Sequence, residues 1–325
     1  MKKNDCIKAV GLLSGGLDST LAVKIMINQG VEVHILNFVT PFCTCTRKGC
    51  RHEASRVAEL FNVPVKIISA GREYIEMIKN PKYGYGSNMN PCIDCRIFMF
   101  RKAKKYMEQI EAHFIVTGEV LGQRPMSQHK KAFNIIEKES ETEGLVVRPL
   151  SSRLLPQTIP EEKKWIDRVK LLSIQGRRRI PQMELAKKFE INNYPCPAGG
   201  CRLTDPGFAN RLKESFEYGE DTIKDMHLLR YGRHFRLDSK AKVIVGRNKE
   251  ENKILERFFS KDDILLEVAD IGSPILLLKK SNYKNDLREA AILCVRYSDV
   301  NEDGDANIRI KYGGNQEEVR KLSSL

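Results

Sequence analysis

A glycine-rich loop near the start of the 325-residue chain has the residue types of a phosphate-binding site. The loop, Ser14-Gly15-Gly16-Leu17-Asp18-Ser19, follows an apolar stretch at 7–13 and precedes a helical pattern at 17–29. Glycines let the backbone approach a phosphate closely, and a helix N-terminus supplies free N–H groups. The loop lacks the lysine of a Walker A motif, and neither GxGxxG nor GxSxG occurs there. It can therefore hold two terminal phosphates together and leave the α-phosphate open to attack.

Seven of the nine cysteines lie in loops and in three groups. The groups are Cys43, Cys45 and Cys50, then Cys92 and Cys95, then Cys196 and Cys201. Grouped thiols suit metal binding or sulfur transfer, whereas Cys6 and Cys294 lie in apolar stretches and suit a core. Because Arg96 follows Cys95 and a helix follows both, we expect this pair to have lowered thiol pKa values.

Three models of the cysteine chemistry remain open. Four thiolates from the last two pairs, Cys92, Cys95, Cys196 and Cys201, could form a closed structural zinc site. Three of them could instead hold a [4Fe–4S] cluster and leave one iron free to carry sulfide. In the third model, one thiol carries a persulfide and another resolves it without any metal.

The elements that must position these residues alternate between strand and helix patterns. Strands are predicted at 7–13, 31–39, 63–69 and 113–117, and helices at 17–29, 52–61 and 96–110. This alternation predicts an α/β domain with a parallel sheet and helices on both faces. Short helices are expected at 161–170 and 182–188. Ligands of such sheets bind at the carboxyl ends of the strands, where the glycine-rich loop and the cysteine groups lie.

A second, smaller α+β domain is expected near the C-terminus. Strands are predicted at 242–246, 264–268 and 308–312, and helices at 249–258 and 285–294. We divide the chain into an α/β domain with the phosphate loop at 1–175, a cysteine-bearing connector at 176–225 and a C-terminal domain at 226–325.

The charge balance favours a nucleic-acid partner. Lys and Arg number 55 against 42 Asp and Glu, which gives a formal net charge of +13. No run of 18 apolar residues occurs, so a membrane-spanning helix is not expected, and no signal-peptide cleavage pattern follows the start. The expected location is the cytoplasm, where thiols stay reduced.

The glycine-rich loop resembles the SGGxDS loop of the PP-loop ATP pyrophosphatases. That resemblance implies an adenine nucleotide alpha hydrolase-like fold and cleavage of ATP to AMP and pyrophosphate. It also implies that the pyrophosphate part of ATP, with Mg²⁺, is bound by the loop residues Ser14, Gly15, Gly16, Asp18 and Ser19. Among them, Asp18 is the best candidate for holding the magnesium or its water shell.

Two further segments are similar to tRNA thiolation enzymes. The segment at 90–96, NPCIDCR, resembles the cysteine segment of tRNA 2-thiouridine synthases, although the Cys92 position there is more often Asp. The segment at 117–123, TGEVLGQ, with Ser127 and Gln128, looks closer to 4-thiouridine synthases of the ThiI type. This resemblance implies that the segment forms part of the pocket for ATP and the target base, with Thr117 and Gly118 among the ATP-binding residues. Because the loop lies so near the start of the sequence, we do not expect the upstream RNA-binding domain that those synthases carry.

The region from about 228 is similar to the RNA-binding region of NFACT proteins, through KVIVGRN at 242–248. Basic side chains with interleaved aromatic rings could form a phosphate track there. The candidate RNA-binding residues are Arg230, Arg233, Arg236, Lys242 and Arg247. Arg177, Arg178 and Arg179 could extend this track beside the connector.

Together these features predict an ATP-dependent tRNA sulfurtransferase. A uridine carbonyl oxygen would be adenylated, and cluster-bound sulfide or a persulfide on Cys95 or Cys201 would then displace AMP. The sulfur donor would be sulfide or a cysteine desulfurase, and a homodimer is compatible with this reading. The alternatives are a PP-loop ligase that forms amides or nitriles on a small molecule, and a non-catalytic, nucleotide-sensing RNA-binding protein with structural zinc.

Overall fold

The computed structural model describes residues 6–43, 49–194, 200–279, 284–300, 306–313 and 316–325. The chain divides into two compact units, Met1–Ala209 and Asn210–Leu325. No helix in the described part of the chain is long and apolar enough to cross a membrane.

The first unit is built on a five-stranded parallel sheet with the strand order β3-β2-β1-β4-β5. Its strands are β1 (Lys8–Leu12), β2 (Glu32–Val39), β3 (Val65–Ser69), β4 (Phe114–Thr117) and β5 (Val146–Val147). Its helices are α1 (Leu17–Ile27), α2 (Gly49–Phe61), α3 (Arg72–Lys79), α4 (Cys92–Gln109), α5 (Lys130–Glu139), α6 (Ile159–Glu162) and α7 (Ile180–Lys188). Three-residue 3₁₀ helices lie at Ser152–Leu154, Arg168–Lys170 and Arg202–Thr204.

Neighbouring residues of β1 point to opposite faces of this sheet and enter two different cores. Ala9 is buried in a core with Leu21 of α1 and Val57 of α2. Val10 is buried in a second core with Phe100 of α4 and Ile136 of α5. Since successive side chains of a strand alternate between faces, both faces are covered by helices. The predicted α/β architecture is confirmed.

The second unit contains a six-stranded antiparallel sheet with the order β11-β10-β8-β9-β7-β6. Its strands are β6 (Arg233–Arg236), β7 (Lys242–Val245), β8 (Asp263–Val268), β9 (Leu276–Lys279), β10 (Asn307–Tyr312) and β11 (Glu317–Lys321). Its helices are α9 (Ile223–Leu228), α10 (Lys249–Phe258) and α11 (Lys284–Arg296), with a 3₁₀ turn at Leu322–Ser324. Helix α8 (Pro206–Glu217) includes the point at which the units divide.

The two faces of this sheet are packed against different helices. Ile244 of β7 is buried with Leu255 of α10, whereas Val243 and Val245 are buried with Ala290 of α11. The predicted smaller α+β domain is confirmed, and its strand and helix positions at 242–268 agree closely with β7, α10 and β8.

Two predicted helices differ from the structure. The helix expected at 161–170 is replaced by the one-turn α6 and a separate 3₁₀ turn. Here Lys164 has a φ of +56°, a left-handed conformation that ends the helix. The helix expected at 96–110 begins four residues earlier, so Cys92 and Cys95 lie in the first turn of α4 rather than in a loop before it.

Candidate functional site

A pocket of about 420 Å³ opens at the carboxyl ends of β1, β2 and β4 in the first unit. Most of the predicted nucleotide-binding residues line it: Ser14, Gly16, Asp18, Ser19, Thr117 and Gly118. The thiols of Cys43, Cys92, Cys95 and Cys201 line it as well. One pocket therefore contains both the phosphate loop and four of the grouped cysteines.

The phosphate loop is shaped by its own polar side chains. Gly16 precedes α1 at the N-cap position with no side-chain cap, so no side chain blocks the first N–H groups of the helix. The Ser19 hydroxyl donates to the Gly16 carbonyl at 2.9 Å, and the Ser14 amide donates to Ser19 Oγ at 3.3 Å. These bonds close the loop on itself and leave the helix N-terminus open toward an anion.

Glycine is required at two points of close approach around the loop. Gly15 has a φ of +78°, and a Cβ there would lie 2.5 Å from Cβ of Glu53. Gly118, directly after β4, packs against the start of α1, so that a Cβ there would lie 2.5 Å from the carbonyl carbon of Asp18. Because Gly118 has no side chain, its backbone can pack directly against the phosphate loop.

Asp18 is held by side chains from two distant parts of the chain. Gln123 Nε2 donates to Asp18 Oδ2 at 2.8 Å, and Arg179 Nη1 forms an ion pair with the same oxygen. Asp18 Oδ1 is buried and has no hydrogen-bond partner among the described residues. A carboxylate oxygen of this kind suits a hard divalent cation, so this position fits a magnesium ion.

A buried acid, Glu119, organises the wall of the pocket next to the loop. Its side chain is 1% exposed, and it accepts from Arg148 Nε at 3.1 Å. Arg96, which lines the pocket, lies 3.4 Å from its other carboxylate oxygen. Arg148 is fixed in turn by Glu137 and by the ring of Phe133, 3.8 Å from the guanidinium carbon. The network therefore positions the guanidinium of Arg96 beside the cysteines.

Backbone hydrogen bonds bring Cys201 to the pocket from far along the chain. Cys43 and Cys201 form an isolated antiparallel bridge. Arg202 N donates to Phe42 O at 2.9 Å, and Met89 N donates to Leu203 O at 3.1 Å. Residues 201–203 are thereby joined both to the end of β2 and to the segment that precedes α4.

The described thiols suit a soft metal or a cluster in chemical type. In the described residues, however, no three His, Cys, Asp or Glu side chains are arranged as a metal-binding group. Cys45 and Cys196 lie outside the described residues, and nothing is described of the Cys50 side chain in α2. The predicted four-thiol set of Cys92, Cys95, Cys196 and Cys201 is thus described at three positions.

The expected lowering of the thiol pKa is wrong for Cys95. Burial raises its pKa, and this effect exceeds the opposing hydrogen bond from Tyr74 and the charge of Arg96. The Tyr74 hydroxyl lies 3.1 Å from Cys95 Sγ. Burial also raises the pKa of Cys201 to about 12. Desolvation disfavours the thiolate here more strongly than the helix N-terminus favours it.

The predicted RNA-binding residues of the second unit fall into two classes. Arg236 bonds to Glu214 and Glu220, and Lys242, only 4% exposed, donates to Glu220 at 2.7 Å. These two charges support the fold rather than an open phosphate track. Among the others, Arg233 and Arg247 are exposed, although Arg247 pairs with Glu251, and Arg230 is half-buried.

Comparison with known families gives one match in each of the two units. Residues 6–154 match the family model of the thiamine biosynthesis protein ThiI, and residues 232–324 match that of the NFACT protein RNA binding domain. The first unit is thus similar to the ThiI family, and the second is similar to the NFACT RNA-binding domain.

Individual proteins are similar to the chain at 28% sequence identity or less. The tRNA-specific 2-thiouridylase MnmA of Leptospira interrogans serovar copenhageni is 28% identical over 296 residues, which cover 79% of this chain and 75% of MnmA. A probable tRNA sulfurtransferase of Ureaplasma parvum is 28% identical over 145 residues, 44% of this chain and 36% of that protein. The chain thus matches about a third of the second relative's length. A 4-thiouridine synthetase, solved with RNA and bound ATP, is 22% identical with a TM-score of 0.37, over 68% of this chain and 53% of its own.

Two arginines in the pocket of the first unit were not given this role from the sequence: Arg124 lines the pocket and Arg179 bonds to Asp18. Arg96, expected only as a charge beside Cys95, lines the pocket too. Gln123, which also bonds to Asp18, belongs to the TGEVLGQ segment that was expected to form part of a pocket, and it lines this one. Arg179 was grouped with Arg177 and Arg178 as part of one basic track. It differs from them only through its ion pair with Asp18, which the sequence does not show.

Proposed function

We propose that the chain is an ATP-dependent tRNA sulfurtransferase that replaces a uridine carbonyl oxygen with sulfur. The observation that carries this proposal is that one pocket contains a phosphate loop, the Asp18 carboxylate with its buried Oδ1 atom, and the thiols of Cys92, Cys95 and Cys201. The ThiI family match and the thiouridylase and sulfurtransferase relatives support it.

In the first step, the uridine carbonyl oxygen attacks the α-phosphate of ATP and pyrophosphate leaves. The open N–H groups at the start of α1 and the glycine backbone hold the two departing phosphates. Asp18, through its buried oxygen, would hold the magnesium that accompanies ATP, and Mg²⁺ would supply charge neutralisation when bound. Gly118 keeps the strand β4 close enough to fix the loop in place.

In the second step, a sulfur nucleophile attacks the activated ring carbon. The carbon–sulfur bond forms, the carbon–oxygen bond breaks, and AMP leaves with the original oxygen. Because Cys95 and Cys201 line the ATP pocket, either thiol lies beside the place where the activated carbon must be held. Sulfide or a cysteine desulfurase supplies the sulfur atom.

We further propose that Cys92, Cys95 and Cys201 hold a [4Fe–4S] cluster, for which their thiols would turn toward one another from the positions described. When bound, such a cluster supplies an iron site that is open to sulfide. Zinc and a metal-free persulfide are the competing states of the same thiols.

The RNA substrate fits the second unit and the charge of the chain. An NFACT RNA-binding domain and a net charge of +13 both favour a polyanionic partner. The target base must leave the tRNA stack to enter a pocket of this size. Arg233, which is exposed and lies over the Tyr297 ring at 4.9 Å, offers a phosphate contact.

Mass spectrometry of tRNA nucleosides tests the reaction class. Cells that lack the gene should lose one thionucleoside, and the gene for the Asp18→Ala variant should not restore it. In vitro, Asp18→Ala should abolish tRNA-dependent release of AMP, whereas Cys95→Ala should still release pyrophosphate but transfer no sulfur. Full thiolation by Cys95→Ala would exclude that thiol. Turnover of ATP with a small molecule but not with tRNA would favour a PP-loop ligase.

Metal analysis after anaerobic purification separates the sulfur-carrying states. Iron and acid-labile sulfide at four atoms each per chain are expected, with loss of both in Cys92→Ala. Zinc without iron, or persulfide sulfur on a metal-free protein, would contradict the cluster. The Cys294→Ala variant is the matched control, because Cys294 is a buried thiol of the second unit.

A further inference from the structure

Arg179 is separated by the fold from the basic run in which it lies. Arg177 and Arg178 are exposed, whereas Arg179 is 22% exposed and lines the nucleotide pocket. It pairs with Asp18 across 161 residues of sequence. A solvated basic track does not require such a contact.

Two contacts fix the segment that carries Arg179. Gly176 N donates to Leu121 O at 2.7 Å, and Leu121 and Gln175 form an isolated parallel bridge. On the other side of Arg179, the fully buried Gln182 donates to Gln123 Oε1 at 3.2 Å, and Gln123 itself donates to Asp18. The guanidinium therefore reaches the phosphate loop from a fixed backbone rather than from a free surface loop.

The ion pair with Asp18 does not use all the hydrogen-bond donors of the Arg179 guanidinium. Gln123 and Arg179 both donate to Oδ2 of Asp18, and the contact of Arg179 uses only its Nη1 atom. A guanidinium has five N–H donors in a planar fork, which matches phosphate oxygens in pairs. Ser14, Gly16 and Ser19 line the same pocket, so a phosphate chain bound there comes within reach.

The surrounding charge also favours an anion at this place. Arg96 and Arg124 line the pocket together with Arg179. Burial and the nearby charges of Arg96 and Arg179 lower the pKa of Arg124. Two acids of the pocket, Glu119 and Glu53, are engaged by arginines that do not line it, since Glu119 binds Arg148 and Glu53 binds Arg56.

We propose that Arg179 is a substrate-binding residue that contacts the phosphate chain of ATP and gives up part of its contact with Asp18 when ATP binds. Asp18 keeps Arg179 aimed at the loop before ATP arrives. ATP then offers the guanidinium a second anion, while Asp18 Oδ2 keeps its hydrogen bond from Gln123. This inference rests on the proposed function in that ATP is the ligand.

Equilibrium binding of a non-hydrolysable ATP analogue and of adenosine, both without tRNA, tests it. Arg179→Ala should weaken binding of the analogue about 10- to 100-fold, the loss expected for a charge-assisted phosphate contact, and should leave adenosine affinity within about twofold. The affinity of Arg179→Lys for the analogue should lie between those of Arg179→Ala and the unmodified chain, because lysine keeps the charge but lacks the planar guanidinium. Arg178→Ala is the matched control and should bind both ligands like the unmodified chain.

Three outcomes would overturn the inference without touching the proposed function. These are unchanged analogue affinity in Arg179→Ala, equal losses of analogue and adenosine, and an equal loss in Arg178→Ala. The second would show that Arg179 only maintains the shape of the pocket. If the unmodified chain binds no ATP analogue, the proposed function itself fails.

Discussion

Gly118→Ala should reduce the activity of the pocket by displacing the phosphate loop. Gly118 follows β4, and its α-carbon faces the first turn of α1. The φ of Gly118 lies outside the left-handed region, so alanine meets no backbone penalty there. The effect of the substitution is therefore steric.

The size of the displacement follows from the packing. The new Cβ would lie 2.5 Å from the carbonyl carbon of Asp18 and 2.5 Å from Cα of Ser19, whereas ordinary contact begins at 3.4 Å. The neighbours are backbone atoms, so the start of α1 or the end of β4 must move by about 1 Å. A misplacement of about 1 Å at a reacting centre costs on the order of 100-fold in rate.

The assay is tRNA-dependent release of pyrophosphate, measured beside thermal unfolding. We expect about 100-fold slower release. Overpacking of this kind costs about 1–3 kcal/mol, which lowers the Tm by about 2–12 °C for a unit of this size. Circular dichroism at the assay temperature would show that the variant is folded.

Gly71→Ala is the matched control. Gly71 has an extended backbone before α3, and a Cβ there would meet nothing within 4 Å. It should release pyrophosphate at the rate of the unmodified chain. Release by Gly118→Ala within twofold of that rate would refute the claim that the loop position depends on this glycine.

Three further predictions concern single groups. Tyr74→Phe removes the hydroxyl that lowers the pKa of Cys95. Alkylation of Cys95 at pH 8.5, followed by mass spectrometry, should therefore be slower in this variant, and an unchanged rate would contradict the prediction. Glu220→Gln leaves the buried Lys242 without its carboxylate, and urea denaturation should show about 3 kcal/mol less stability, whereas no loss would show that water replaces the partner. Burial lowers the pKa of His234 from 6.5 to about 3, so the unfolded chain binds a proton that the folded chain does not. The contribution of His234 to stability should therefore fall by about 1.4 kcal/mol per pH unit as the pH falls from 6.5 to about 3. Urea denaturation at a series of pH values should show this contribution lost in His234→Gln, and an unchanged pH dependence in that variant would contradict it.

The sheet of the first unit was predictable because its strands are short, apolar and separated by helical patterns. β1, β2 and β4 are predicted to within two residues at each end. β5 was missed because it has two residues, too few for any periodicity, although it completes the sheet edge through Ile115 and Val116. The helix predicted at 161–170 was too long, because nothing in the charged residues at 161–164 indicates the left-handed conformation of Lys164.

The phosphate loop was predictable for a different reason. Its chemistry lies in six consecutive residues, so sequence order and spatial order coincide. The thiols are different, because Cys201 reaches the pocket only through backbone pairing with residues 42 and 43. Sequence grouping identified Cys201 as a candidate, but the bridge that places it beside Cys43 is set by backbone hydrogen bonds, which carry no residue-specific pattern.

The pKa of Cys95 shows where local reasoning about a site fails. A helix N-terminus and an adjacent arginine both favour a thiolate, and both are visible in the sequence. Yet Arg96 is turned toward Glu119, 3.4 Å away, so part of its charge is already balanced. The thiol lies against the Tyr74 hydroxyl, and burial raises its pKa. A neutral thiol is poorly suited to attack by itself. Sulfur chemistry at Cys95 therefore requires either a metal or a cluster that binds the thiolate, or conversion of the thiol to a persulfide, whose outer sulfur is then the nucleophile.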